Sequence, residues 1–448
     1  MFPGAVEEPG TGDRAAIHPS YRPRARRACP APVIRDPTAP MTRFPHRAVP
    51  IVLAAIVIDV IGFGIIMPVL PRLITDLGRV DLTAATRIAG WMLVLFAAAQ
   101  FFAGPVLGSL GDRFGRRPVL IASMLAFAVD YALMAAAPTL AWLFVGRAIA
   151  GAAGAVFGPA GAVLADVSPP EKRGEMFGLM GAAFGVGFII GPALGGLVAD
   201  LGPRTPFLIA AGLAALNALA MMFLLPETLD PAHRRAFRLR DATIVGAFRP
   251  LFAAGASGAA PLLVAWFFWQ LGTQVYPSTW SFWASIRFGW DAGAIGWSLA
   301  SVGLLNVAVQ LFLTRRVLRR TGERRAAVIG LFASTATFTA FAVVTQGWQV
   351  YAFYLFGCVG ALAYPALNGL MSRSVDATRQ GALQGGIGAM NSVAQMAGPL
   401  LATQALAAGS ARGFPGSAFA LAALLTAGAL LVVAFCLPAL RSPGPVDG

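Results

Sequence analysis

Three ionisable side chains stand inside long apolar stretches of the sequence: Asp59, Asp130 and Arg147. A charge in such surroundings is costly unless it faces a cavity or a partner, so each one points to binding or to proton movement. At 1.5 Å per residue, Asp59 lies about nine residues, or ~14 Å, into its stretch, near the middle of a hydrocarbon layer. Asp130 stands about twelve residues into its stretch and Arg147 about seven into the next, which runs the other way. Equal depth on consecutive antiparallel helices predicts an Asp130–Arg147 pair. Two readings of that pair stay open, a structural salt bridge and a direct role in substrate binding or proton transfer. Asp59 has no evident partner, which favours proton or substrate coupling over structure.

Weaker candidates surround these charges. Amides within apolar stretches either bridge helices or bind substrate, and Gln100, Gln270, Gln274, Asn306, Gln310, Asn368, Gln384, Asn391 and Gln395 are such amides. Six of the nine tryptophans cluster between Trp266 and Trp297. Those after Trp280 are expected in an interfacial belt, whereas Trp266 and Trp269 are deep enough to stack on a flat ring. The sequence shows no metal-ligand cluster, phosphate loop or nucleophile with a base, and His18, His46 and His233 lie in the tail or the linker. No cofactor is expected, and an enzyme is not the expected class.

Elements that could position these groups follow from composition. With 57% hydrophobic and 12% charged residues, the 448-residue chain carries more apolar surface than one water-soluble core hides. Apolar runs of about 20 residues, the length that crosses a bilayer as helix, recur with short polar breaks. Twelve are expected, near 50–71, 89–110, 118–137, 140–164, 176–199, 205–225, 259–282, 293–314, 326–345, 348–371, 382–407 and 416–438. Helix is the only reading for spans this long, because each satisfies its own backbone hydrogen bonds. The chain is therefore read as an all-α membrane protein.

A net charge of +14 raises the question of a nucleic-acid partner, and the placement of the charge answers it. Loops after the even-numbered spans gather the basic residues, from Arg113, Arg116 and Arg117 through Arg234 and Arg235 to Arg373 and Arg379. The opposite loops keep Arg72, Arg79, Arg87, Arg204, Arg287 and Arg412. This positive-inside bias predicts an inner-membrane protein with both termini in the cytoplasm, and a lipid bilayer, not nucleic acid, as the partner. Residues 1–48 are rich in Pro and Arg and are expected to be a disordered tail. Met41 opens a basic stretch that runs into the first span, so translation is expected to start there. Two six-helix halves, 49–225 and 259–438, flank a cytoplasmic linker at 226–258, with a tail at 439–448. Cys29 falls in the first tail, Cys358 and Cys436 in spans, so no disulfide framework is expected.

An internal repeat relates the halves. Gly115 and Gly322 are 207 residues apart, and the same offset relates Gly174 to Gly381, Gly191 to Gly398 and Pro192 to Pro399. Gly108-Ser-Leu-Gly-Asp112-Arg113-Phe-Gly115-Arg116-Arg117, between spans two and three, combines glycines for a tight turn with an acid that can pair with the arginines. Such a group can hold the ends of neighbouring spans together on the cytoplasmic side, and Asp166, ending span four, is a further member. Arg113, Arg116 and Arg117 also serve simply as positive-inside charge. In the second half the positions of Asp112 and Arg116 become Arg319 and Glu323, so the second copy is expected to be degenerate. Span five carries Gly178, Gly187, Gly191-Pro192 and Gly195-Gly196, a flat face for close helix packing with a proline that removes a backbone donor.

These stretches carry a resemblance. The motif after span two fits the GxxxDRxGRR pattern of the major facilitator superfamily, and the span-five spacing resembles the antiporter motif of drug and proton exchangers. From about Met41 to Leu440 the chain resembles the tetracycline-resistance efflux proteins, in IDVIGFGIIMPVLPRL, GPVLGSLGDRFGRRPVL, VDYALMAAAPTLAWLFVGRAIAGAAGA, FGVGFIIGPALGGL and YPALNGLMSR. The resemblance implies the major facilitator fold, twelve helices in two six-helix pseudo-repeats, and efflux of a tetracycline-like or other small amphipathic compound in exchange for protons. It carries family roles onto Asp59, Asp112, Arg116, Asp130, Arg147, Asp166 and Gln274. Where the family has an intramembrane His in span eight this chain has Asn306, and where it has an Asp in span nine this chain has Ser334. A transporter of an unrelated metabolite with altered coupling is the alternative these two positions support. A non-transporting membrane sensor is a third reading, and it predicts a large soluble domain that neither tail nor linker offers.

Overall fold

The computed structural model describes residues 47–154, 156–169, 172–234, 260–376 and 379–436. Expectations for the first tail, for Met41 and for most of the linker fall outside these residues. Every regular element among the described residues is helical. The first half comprises α1 (Ala48–Ile66), α2 (Leu70–Gly78), α3 (Leu82–Phe114), α4 (Arg116–Ala136), α5 (Leu140–Ala153), α6 (Phe157–Asp166), α7 (Arg173–Val198) and α8 (Thr205–Leu224). The second comprises α9 (Ala260–Thr273), α10 (Val275–Phe288), α11 (Ala292–Ala308), α12 (Arg315–Val343), α13 (Gly347–Val359), α14 (Ala363–Arg373), α15 (Gln380–Ser410) and α16 (Ser417–Cys436). Nine helices among the described residues are long and apolar enough to cross a membrane. One of these, Ala292–Val343, is two crossings that meet at Gly322, and α9 with α10 and α15 supply the others, in agreement with twelve.

Local sequence sets the helix ends and breaks. Asp81 and Asp291 cap α3 and α11, their carboxylates accepting from the backbone N–H of Ala84 at 2.9 Å and of Ala294 at 2.7 Å. Gly115 and Gly322, related by the sequence repeat, share one unusual backbone conformation, with φ/ψ of 109°/161° and 74°/167°. Side chains are excluded from that region, so glycine is required at both turns. The first apolar run is shorter than expected: α1 ends at Ile66, and Pro71 stands in the first turn of the separate helix α2. Several crossings are discontinuous, with breaks near Gly154, at Gln274 and at Gly360–Leu362, and a π-helical turn at Val309–Thr314. Broken helices are tolerated at membrane depth where they are enclosed by protein or line a cavity.

The span-five glycines explain how the bundle closes. Helix α7 packs between α1 and α11. Toward α1, a β-carbon at Gly187 would lie 2.7 Å from Val60 Cβ, and one at Gly191 would lie 2.9 Å from Gly64 Cα. On the other side, a β-carbon at Gly196 would lie 3.0 Å from the Ala292 carbonyl, and Gly296 meets Pro192. Two backbones approach closely only across small residues, which is what the motif supplies. Gly178 is the exception, since it faces open space.

The halves meet along α7 with α11 and α3 with α15. They touch at one end, where Gly90 faces Thr403 and Gly196 faces Gly293. Toward the end that carries the Gly108–Arg117 motif they diverge, and a β-carbon at Gly104, Gly108, Gly178 or Gly181 would meet nothing within 4 Å. The interior is thus closed at one end and opens toward the motif.

Candidate transport site

Helices α4 and α5 bring Asp130 and Arg147 together in an ion pair, as equal depth predicts. The Asp130 side chain is fully buried, and its second oxygen, Oδ1, has no hydrogen-bond partner. Arg147 also faces the rings of Phe96 and Tyr131, with its guanidinium carbon 5.8 and 6.0 Å from their centroids. The arginine is therefore held by a charge on one side and two aromatic faces on the other. It also lines a small cavity of about 60 Å³ with Phe63, Met92, Met134, Ser278 and Ser281, where α10 of the second half meets the first. Asp59, on α1, is half-buried and within electrostatic reach of Tyr131. It takes part in no ion pair among the described residues. Two kinds of acid thus share one half, a paired carboxylate and an unpaired one.

A larger cavity of about 400 Å³ lies between α7 and the second half. Its wall is aromatic, with Phe184 and Phe188 from α7 facing Trp269, Tyr276, Phe338 and Phe341. Asn306, Ser334, Thr337 and Cys358 are among its polar lining residues. Both departures from the efflux-family pattern, Asn306 and Ser334, are therefore on the wall of one cavity. A third cavity, of about 370 Å³, separates α3 from α15 and is lined by Gln100, Gly104, Gly388, Ser392 and Gln395.

Comparison with known proteins bears directly on this architecture. A sequence profile described as the Major Facilitator Superfamily matches residues 52–399 and 262–447. The chain is 40% identical over 396 residues to the class C tetracycline resistance protein of Escherichia coli, covering 88% of this chain and 97% of that one. It is 36% identical over 403 residues to the class G protein of Vibrio anguillarum, again covering 88% and 97%. The chain belongs to the major facilitator superfamily, in the family of the tetracycline resistance proteins. It is a membrane transporter and not an enzyme. Solved structures share the fold: the human organic anion transporter MFSD10 (TETRAN) matches with a TM-score of 0.65 at 22% identity, over 86% of this chain and 99% of that one. A peptide transporter, POT, in complex with sulfate matches with a TM-score of 0.69 at 14% identity, over 88% and 94%.

In this transporter the motif after span two is a three-residue charge cluster. Arg116 bridges Asp112 at 2.7 Å and Asp166 at 3.4 Å, tying the ends of α3, α4 and α6. Arg113 lies over the exposed Phe114 ring, and Arg117 donates to the Met222 carbonyl. The sequence reading missed Glu227. Its carboxylate accepts from the backbone N–H groups of Arg116 at 2.9 Å and Arg117 at 3.3 Å, and from those of Thr228 and Leu229. It caps α4 from 111 residues away, at a helix start where negative charge is favourable. Gly115 is crossed closely by this carboxylate, a second reason for glycine there.

One ion pair of the motif is kept in the second half with its charges inverted. The 207-residue offset carries Arg116 to Glu323 and Asp166 to Arg373, and Arg373 pairs with Glu323 at 3.0 Å. Each half thus ties its third span to its fourth, by Arg116–Asp166 in the first and Glu323–Arg373 in the second, and these two pairs run in opposite senses.

Other candidates sort by their contacts. Gln100 donates to the Gly154 carbonyl at 3.0 Å, bridging α3 to the break between α5 and α6. Gln270 and Gln274 are not on the wall of the aromatic cavity. Trp266 is fully buried and donates to Asn391 at 2.8 Å, so both serve as helix glue. The expected tryptophan belt is only partly present: Trp297 is exposed, but Trp283 is fully buried among Phe288, Phe341 and Phe419. Its ring anchors α10 against α12 and α16 instead of the membrane interface.

Proposed function

We propose that the protein exports a small amphipathic compound of tetracycline-like character in exchange for protons, by alternating exposure of the central cavities. The observation that carries this reading is the aromatic cavity between α7 and the second half, of a size suited to a small molecule. It lies in a bundle closed at one end and open toward the Gly108–Arg117 motif. In this reading Asp59 loads and releases the proton, since neither Asn306 nor Ser334 can carry one. Asp130 and Arg147 hold the first half rigid beside it. Arg116, Asp112 and Asp166 stabilise the motif side when it closes, with Gly108 and Gly115 shaping the turn. In this reading the arginine-rich loops lie in the cytoplasm, which makes the open end cytoplasmic, and the halves at 49–225 and 259–438 rock against each other.

Named relatives add support for the cargo, since the class C and class G proteins are tetracycline resistance proteins. Everted vesicles test the coupling. Asp59→Asn is expected to lose tetracycline uptake driven by a pH gradient while retaining counterflow, which needs no net proton movement. Normal accumulation against the gradient in Asp59→Asn would show that the coupling group is elsewhere.

A further inference from the structure

Span eight leaves the bundle through a column of arginines. Exposure recurs every four residues along it, at Leu311 and Phe312, at Arg315 and Arg316, and at Arg319 and Arg320, with the residues between them partly buried. The π-helical turn at Val309–Thr314 takes more residues per turn than an α-helix does, which keeps a four-residue spacing on one side. Leu311 and Phe312 are 68% and 76% exposed, so in a membrane-spanning bundle this side faces lipid. Helical rise gives the depth. The span starts at Ala292, behind the Asp291 cap, and Phe312 lies about 20 residues, or ~30 Å, further on, the thickness of a hydrocarbon layer. The arginines begin ~5 Å beyond it, at the depth of the lipid headgroups.

Among the described residues, none of the four arginines forms an ion pair or a side-chain hydrogen bond. The nearest acid in the sequence, Glu323, pairs with Arg373. Residues 1–46 and 235–259, outside the described residues, hold more arginines than acids and are poor sources of counter-charge. Nor does the end of the span require the column: the 207-residue offset places Gly108, Ser109, Asp112 and Arg113 at the same four positions of the first half. Like charges one helical turn apart repel each other, and an anion at the same depth removes that repulsion. A soluble anion can meet the charges from the water, but it gains nothing from the exposed leucine and phenylalanine beside them. A phospholipid has both parts in the right order, a phosphate at headgroup depth and an acyl chain against the apolar side.

We propose that the Arg315–Arg320 column binds the phosphates of anionic phospholipid, whose acyl chains lie against Leu311 and Phe312. Arginine suits this partner, since its planar guanidinium pairs with two oxygens of one phosphate. The inference is independent of the cargo and of the direction of transport.

The full-length protein is placed in phosphatidylcholine nanodiscs that hold a trace of phosphatidylglycerol with a diazirine in its acyl chain, or the same trace of phosphatidylcholine with that chain. After illumination, mass spectrometry measures labelling of the peptide that carries Leu311 and Phe312. The anionic probe is expected to label it at least ~10-fold more than the zwitterionic one. Arg315→Gln and Arg319→Gln are each expected to lower the anionic labelling about five-fold, the effect of one arginine at an anionic surface. Arg315→Lys with Arg319→Lys keeps the charge and is expected to keep most of the preference. Arg87→Gln with Arg412→Gln, which removes two exposed arginines from the opposite end, is expected to change nothing. Equal labelling by the two probes in the unmodified protein overturns the proposal, whatever the variants do. So does an undiminished preference in a folded Arg315→Gln, Arg319→Gln double variant. Complete displacement of the anionic probe by glycerol phosphate in solution would make the partner a soluble anion and overturn it as well.

Discussion

Arg147→Ala isolates the energetics of the buried ion pair. Asp130 is fully buried, and one of its oxygens already lacks a partner. The other is paired with Arg147, so the substitution leaves the carboxylate with neither oxygen satisfied. Gly146 lies directly beneath the same carboxylate, with a built β-carbon 2.5 Å from Oδ1, so there is little room for a replacement side chain. Removing one partner of a buried pair typically costs about 3 to 5 kcal/mol. Loss of the Arg147 contacts with Phe96 and Tyr131 adds about 0.5 to 1 kcal/mol each. Asp130→Asn with Arg147→Gln removes both charges and keeps polar side chains of similar shape. The double variant is therefore expected to recover most of the loss, giving a coupling energy of about 2 to 4 kcal/mol. Reversible unfolding in mixed micelles, run on Arg147→Ala and on Asp130→Asn, Arg147→Gln and their double, reads this directly. An Arg147→Ala cost below about 1 kcal/mol, or a double variant as unstable as the sum of the singles, would refute the argument.

Three further outcomes are expected. Glu227→Ala removes the cap on α4 and should cost about 0.5 to 2 kcal/mol, with faster amide exchange confined to Arg116, Arg117 and the residues after Glu227; unchanged exchange at Arg116 would count against the cap. Glu323→Arg should impair the proposed efflux in drug-accumulation assays, and adding Arg373→Glu should restore it, because the exchange rebuilds the pair in the polarity of the first half; equal impairment of single and double variants would mean that the pair does not act as a pair. Gly191→Leu should abolish folded protein in the membrane, since the new side chain would enter the Ile61 and Gly64 backbone of α1, whereas Gly178→Leu, facing open space, should fold normally by size-exclusion profile.

Much of this protein was legible before any coordinates. The length and composition of the apolar runs require a helical membrane bundle, because runs this long satisfy their own backbone groups as helices, whereas barrel strands are shorter and alternate in polarity. The 207-residue repeat divided it, and the depths of Asp130 and Arg147 on successive helices identified their pair, because helical rise converts sequence distance into depth. The span-five glycines announced close packing for the same local reason.

Rotation of the helices was not legible. A helix apolar all round carries no hydropathy signal that separates a face turned to the core from one turned to lipid. That is why Trp283, expected at the interface, is buried, and why Trp269, Asn306 and Thr337 could not be recognised as neighbours on one wall. Contacts far apart in the chain were hidden too: Glu227 caps α4 from 111 residues away, and no local pattern marks an acid that acts at another helix's start. Comparison of Arg116 with Glu323 in sequence suggested decay of the repeat. Only the tertiary pairing of Glu323 with Arg373 reveals that the interaction was kept with its sign reversed, because the energy of an ion pair depends on the product of the two charges and is indifferent to which helix carries which.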